Sequence, residues 1–221
     1  MSRADIVKVE GPDAETYLQG QLSQDVAAMT VGDSTSTFVL APNGHIDAFA
    51  HVVRDADDCF TLSIDPGYGS ALEARLRRFL LRTKATITLR EAEKAPVDPE
   101  AERVRIEEGK LSMANEIDDR TVPAETGWVD RAVSFTKGCY TGQELVARMD
   151  SRVAEPPRRL ARIAVVGSKK GDAIVIDGAE VGVITSAAES IALGYIKRGT
   201  SLDGAAEVGG APATVLGPVG A

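Results

Sequence analysis

A chain of 221 residues, 43% apolar and 26% charged, has the composition of a soluble globular protein and is long enough for one large domain or two small ones. Its net charge of −8 excludes a general nucleic-acid binder, and its two cysteines, Cys59 and Cys139, form neither a disulfide framework nor a metal-ligand spacing. No run approaches the roughly 18 apolar residues of a membrane-spanning helix, and Met1–Asp5 lacks the apolar stretch of a signal peptide. The expectation is a soluble cytoplasmic protein without a membrane anchor. His45 and His51 have too few partners for a zinc site.

Residues 6–9 read as a short strand. Gly11-Pro12-Asp13 then opens a helix, with Asp13 expected to accept from the free amides of the first turn. Tyr17 and Leu18 are its apolar contacts and Gly20 its end. The polar residues Gln19, Gln21, Gln24 and Asp25 follow, either as a solvated helix end or as hydrogen-bonding groups at a pocket mouth.

Residues 36–40 and 45–54 pattern as paired strands around Pro42-Asn43-Gly44, because Asn-Gly tolerates the positive φ of a tight hairpin. Asp47 sits just past this turn. Cys59–Ile64 reads as a third strand, in which Cys59 alternates with Thr61 and Ser63 as a plain strand residue. Residues 69–82 pattern as the clearest helix, with Leu72, Leu76, Phe79 and Leu80 in one apolar stripe. Arg75, Arg78 and Arg82 share another face, expected to be exposed. That face is either a solvated charged surface or a docking surface for an anionic ligand tail or RNA. A strand at 85–90 closes the block.

Residues 91–103 are charged and contain prolines, as in an exposed connector. Residues 112–136, with Pro123 and Trp128, carry no decisive pattern. Pro156-Pro157 marks a boundary. Beyond it lie short β-like runs at 160–166, 173–176, 180–185, 191–196 and 212–216, with Asp177-Gly178 as a tight hairpin, which suggests a small barrel or sandwich. The expected organisation is α+β: an αβ domain over 1–152 and a small antiparallel β-domain over 158–221.

The stretch Lys137-Gly138-Cys139-Tyr140-Thr141-Gly142-Gln143-Glu144 gathers several features. Thr141 and Glu144 have capping-box spacing, so a helix is expected to start there and bury Leu145, Val146 and Met149. Cys139 would then lie near a helix N-terminus with Lys137 beside it, and both favour a thiolate. The plainer alternative is a small buried hydrophobe. No histidine lies nearby in sequence to serve as a base, so a bare thiol would serve redox chemistry or transient sulfur or metal contact. Arg148, Arg152, Arg158, Arg159 and Arg162 form a second basic run, either ion-paired at the surface or a positive rim for a phosphate or RNA.

The segment 137–144, continued by Leu145-Val146-Ala147-Arg148, resembles the signature of YgfZ-type proteins, which are similar to the T protein (aminomethyltransferase) of the glycine-cleavage system. Looser likeness extends to Gly11–Leu22, the Asn43-Gly44 turn, and Val181–Ser186 with Ala192–Tyr195. The resemblance implies a T-protein/YgfZ-like αβ folate-binding scaffold followed by a small antiparallel β-barrel. It also implies a tetrahydrofolate site and a role in assembling or repairing iron–sulfur clusters in client proteins, a tRNA-thiolating enzyme among them. By this likeness Cys139 and Lys137 are the functional residues of the motif. Asp47 matches the T-protein carboxylate that contacts the folate amine region. Gln19, Gln21, Asp25, Tyr140, Gln143, Glu144 and Arg148 are candidate folate contacts. Relatives carry an extra segment where this chain has 91–103, so the scaffold is expected to be shortened. The T protein lacks the cysteine signature, which argues against aminomethyl transfer; that activity and a folate-free interaction module are the alternatives.

Overall fold

The computed structural model describes residues 4–93, 96–151 and 155–220. In chain order the elements are β1 (Asp5–Glu10), α1 (Ala14–Gln21), β2 (Ser34–Leu40), β3 (Ile46–Ala56), β4 (Cys59–Ile64), α2 (Gly69–Arg77), β5 (Thr86–Arg90), α3 (Pro99–Glu107), α4 (Pro123–Thr126), α5 (Val129–Ala132), α6 (Gln143–Ser151), β6 (Arg158–Ala164), β7 (Ala173–Ile176), β8 (Ala179–Ala188), β9 (Ile191–Lys197), β10 (Ala206–Val208) and β11 (Ala211–Pro218). The fold is mixed α and β. No helix among the described residues is long and apolar enough to cross a membrane.

Packing separates two compact units. The first draws its described residues from Met1–Ala95, Asp118–Pro123 and Val129–Arg148; the second from Pro96–Ile117, Ala124–Trp128 and Met149–Ala221. Segments 96–117 and 124–128 thus pack with the C-terminal strands, although they precede Pro156-Pro157.

The first unit is built on an antiparallel sheet in the order β2-β3-β4-β1-β5. Strand alternation sends Val7, Val9, Leu62 and Ile64 inward. Helices α1 and α2 contact β1, β4 and β5, and bury Leu18, Leu72 and Leu76. Asp5 is buried and accepts from the amides of Gly67 and Gly69 at 2.8 and 2.9 Å and of Ala92 at 2.7 Å. Burial alone would raise its pKa, but these amides hold it below the usual carboxylate range.

The structure departs from two helix expectations. Asp13 occupies the N-cap position of α1, but its side chain does not accept from the first turn. Its Oδ2 accepts from Lys84 N at 2.7 Å, because the 84–85 segment lies against Gly11, whose added Cβ would fall 2.5 Å from Lys84 O. The helix expected over 69–82 ends at Arg77, where Phe79 N and Leu80 N turn back to the carbonyls of Leu76 and Arg77, and Arg82 takes φ 58°. Phe79 is exposed and Leu80 only half-buried, so neither completes the buried stripe with Leu72 and Leu76.

The second unit is a closed six-stranded antiparallel barrel, β10-β11-β6-β9-β8-β7, joined by α3. Asp177-Gly178 forms the β7–β8 turn with φ 50° and 79°. Helix α3 begins at Pro99, inside the expected connector, with Asp98 accepting from Glu100 N at 3.1 Å. The three-residue β10 was too short to leave a sequence pattern. Glu116 is buried and accepts from Arg105 Nη1 and Ser112 N at 2.9 Å, and from Thr185 and Ser186 hydroxyls at 2.7 and 2.5 Å.

Candidate functional site

The cysteine-loop residues and the candidate folate contacts lie in the first unit, whereas Arg158, Arg159 and Arg162 of the second basic run lie in the second. Segment 131–141 runs along residues 20–24 and is bonded to them repeatedly. Thr141 N donates to Gly20 O at 3.2 Å and Ser134 N to Ser23 O at 3.0 Å. Ser23 Oγ, fully buried, donates to Ala132 O at 2.6 Å and accepts from Phe38 N at 2.9 Å. Gln24 Nε2 reaches Arg131 O at 3.3 Å. These contacts fix the cysteine loop against α1 and β2.

Lys137 is 8% exposed and spans the same joint. Its Nζ donates to Leu22 O at 2.7 Å and Gln24 O at 2.8 Å, and lies 5.1 Å from the centre of the Tyr140 ring. Burial lowers its pKa to about 8, with nearby Asp25 opposing the shift. The expected pairing of this cation with the thiol is therefore replaced by a pairing with backbone carbonyls. Tyr140 is buried, and burial pushes its phenol up to about 12.

Cys139 is exposed and free. Cys59, by contrast, is buried; burial raises its thiol pKa, and its Sγ lies 3.8 Å from Asp55 Oδ2. The buried-hydrophobe alternative thus describes Cys59 and not Cys139.

The expected capping box does not form. Gly142 takes φ 80°, which ends any helical run through Thr141, and α6 starts at Gln143. Gln143 Oε1 accepts from Tyr140 N at 3.3 Å, while Glu144 pairs forward with Arg148. A Cβ on Gly142 would lie 2.5 Å from Ala41 O, and one on Gly44 would lie 2.5 Å from the Leu145 side chain. Two glycines therefore let α6 and the β2–β3 hairpin close on each other.

Arg75 is the largest correction. It is 7% exposed, not part of a solvent face. Its Nε donates to Asp47 Oδ2 at 2.8 Å, Nη1 to Gln21 Oε1 at 3.2 Å and Nη2 to Leu40 O at 2.8 Å. The guanidinium carbon lies 4.4 Å from the Phe79 ring centre. Three elements thus converge on one cation beside Leu40, the residue that Gly142 approaches. Arg78 and Arg82 are exposed.

Gln19 braces the following loop. Its Nε2 donates to Asp25 Oδ1 at 2.8 Å, and its Oε1 accepts from Val26 N and Ala27 N at 3.0 and 3.2 Å. Asp25 also borders a shallow open depression of about 330 Å3, lined by Gln24, Ala28, Met29, Asp33, Ser34 and Thr35 as well. Of the second basic run, Arg148 pairs with Glu144, Arg158 with Glu125 at 3.1 Å and Arg159 with Glu155 at 3.9 Å. The Met149 side chain and Arg152 lie outside the described residues. Among the described residues, no three His, Cys, Asp or Glu side chains gather as a metal requires.

Sequence reading missed Ser23 and the carbonyls of Leu22 and Leu40. A serine between apolar Leu22 and the glutamine carries no local signal, and carbonyl acceptors carry none at all.

No family model matches the chain. It is 26% identical over 193 residues to an uncharacterized protein of Haemophilus influenzae, covering 70% of this chain and 69% of that one. It is 26% identical over 194 residues to an aminomethyltransferase of Nostoc, covering 86% of this chain and 47% of the other. A stretch of 104 residues is 32% identical to a putative chloroplastic transferase of Arabidopsis thaliana, covering 44% of this chain and 24% of that protein. Among solved structures, the glycine cleavage system aminomethyltransferase T of Bartonella henselae superposes with a TM-score of 0.75 at 16% identity, over 100% of this chain and 83% of that one. The chain has the fold of glycine-cleavage aminomethyltransferase T.

Proposed function

We propose that this protein binds a reduced folate at the Gln21–Asp47 end of its first unit. Through Cys139 it acts in the cytoplasm as an accessory protein for iron–sulfur cluster assembly or repair in client enzymes, tRNA-thiolating enzymes among them. The observation that carries this reading is a free, solvent-facing thiol on a loop clamped to the segment that bears the polar cluster. The donor set fits the ligand. A reduced folate offers ring N–H groups, a ring carbonyl and glutamate carboxylates; Asp47, Gln21 and the exposed Arg78 and Arg82 have the complementary chemistry. The likeness of residues 137–144 to the YgfZ-type signature supports the same role for Cys139. The test is Cys139→Ser in cells lacking the native protein, with thiolation of tRNA as the readout. Loss of thiolation with folate binding retained supports the reading; full thiolation contradicts it.

A second reading, one-carbon transfer of the aminomethyl type, is favoured by the likeness to the Nostoc aminomethyltransferase and by the shared fold. Asp47-dependent transfer of a methylene unit from an aminomethyl carrier to tetrahydrofolate would establish it over the first.

A further inference from the structure

We infer that Arg75 is a positioning residue that fixes the polarity of two half-exposed groups, making Asp47 an acceptor and Gln21 a donor toward a ligand edge that carries both an N–H and a carbonyl. This rests on the folate reading and names the ring edge that the site takes.

A guanidinium donates five N–H groups and accepts nothing. A carboxamide against it must therefore turn its oxygen inward and its NH2 outward. Gln21 Oε1 lies 3.2 Å from Arg75 Nη1, so the geometry and the chemistry assign the same orientation to this amide. Asp47 gives one oxygen to Arg75 Nε at 2.8 Å and keeps the other. Among the described residues, Gln21 Nε2 and Asp47 Oδ1 have no hydrogen-bond partner. Asp47 remains 36% exposed while Arg75 is 8% exposed at its side chain, so the arginine is the buried anchor and the carboxylate the accessible end.

The anchor itself is rigid. Nη2 is tied to the carbonyl of fully buried Leu40, and the Phe79 ring covers one face of the guanidinium. Burying such a cation is costly unless its donors are met. Here each partner sits on a different element: the end of α1, the end of β2 and the start of β3. The hydrogen-bond donors of a purely structural arginine would be met equally by a glutamate at 21 or an asparagine at 47. A polarity-setting arginine would be served by neither.

That difference defines the experiment. Asp47→Asn keeps shape and keeps an oxygen for Arg75, so its NH2 must face outward. Gln21→Glu keeps shape and gains a stronger bond to Arg75, but presents an oxygen outward. Each inverts one group and leaves the fold intact. Binding of folinate, a stable reduced folate, is measured by calorimetry. Each variant is expected to bind about tenfold more weakly or worse. The melting temperature is expected to fall for Asp47→Asn, which removes the anionic partner of a buried cation, and to hold or rise for Gln21→Glu, so a loss of affinity shared by both is not a loss of stability. In an Arg75→Met background no donor faces residue 47 and its amide is free to flip. There the penalty of Asp47→Asn is expected to fall below about threefold. If wild type binds folinate and both isosteric variants bind equally well, the inference is overturned and the folate reading stands. If wild type does not bind folinate, the folate reading itself fails and takes this inference with it.

Discussion

The Nζ of Lys137 lies 2.7 Å from the carbonyl oxygen of Leu22, so the lysine of the cysteine loop serves as a strap across to the end of α1. A second bond to Gln24 O at 2.8 Å and the Tyr140 ring beneath it leave the ammonium enclosed. The strap holds the loop in place and leaves the thiol of Cys139 outside.

Replacing Lys137 with Met should destabilise the protein by about 1–3 kcal/mol, since the Leu22 carbonyl would be left buried without a donor. The effect depends on pH with a definite sign. Burial lowers the lysine pKa from 10.5 to about 8. Between these values the unfolded chain binds more protons than the folded one, so stability rises with pH. Urea unfolding of wild type and Lys137→Met should therefore show the wild type gaining on the variant as pH climbs through that window.

Alkylation should separate the two cysteines. Cys139 is exposed, whereas Cys59 is buried with its thiol pKa raised. Iodoacetamide at neutral pH should label Cys139 in the folded protein and Cys59 only after denaturation, as read by peptide mass spectrometry.

Gly142→Ala should cost about 1–3 kcal/mol or more, because it forces a side chain into φ 80° with Ala41 O 2.5 Å from the new methyl group. The strain acts where α6 meets the hairpin carrying Asp47. Folinate affinity should fall together with the melting temperature, and thermal denaturation with and without ligand measures both.

In the second unit, Glu116→Ala should be among the most destabilising single changes, by about 3–5 kcal/mol. It strips Arg105 and the Thr185 and Ser186 hydroxyls of a shared buried acceptor. Chemical denaturation of the full chain tests this.

Much of the scaffold was legible because its signals are local. Asp177-Gly178 specifies its hairpin with positive φ at both residues, whereas in the Ala41–His45 connection only Gly44, at φ 82°, takes the left-handed conformation expected of Asn43-Gly44, and the strand runs carry period-two alternation. The candidate site was legible in composition and not in wiring. Arg75 follows Leu72 by three residues and precedes Leu76, on the border of the apolar stripe. Helical spacing alone could not tell a solvent face from a buried anchor whose partners lie on three other elements. The Thr141–Glu144 spacing misled for a related reason. Close packing against Leu40 and Ala41 requires a glycine with positive φ at 142, which overrides the local capping preference. Lys137 was read by its sequence neighbour Cys139, whereas its bonds go to Leu22 and Gln24, more than a hundred residues away in sequence.

The most direct test of the central claim is a calorimetric titration of the purified full chain with folinate, repeated on Cys139→Ser. Both proteins should bind saturably with the same affinity, weakening as salt rises and screens Arg78 and Arg82. Absence of binding heat at millimolar ligand, with the protein folded by circular dichroism, would contradict it.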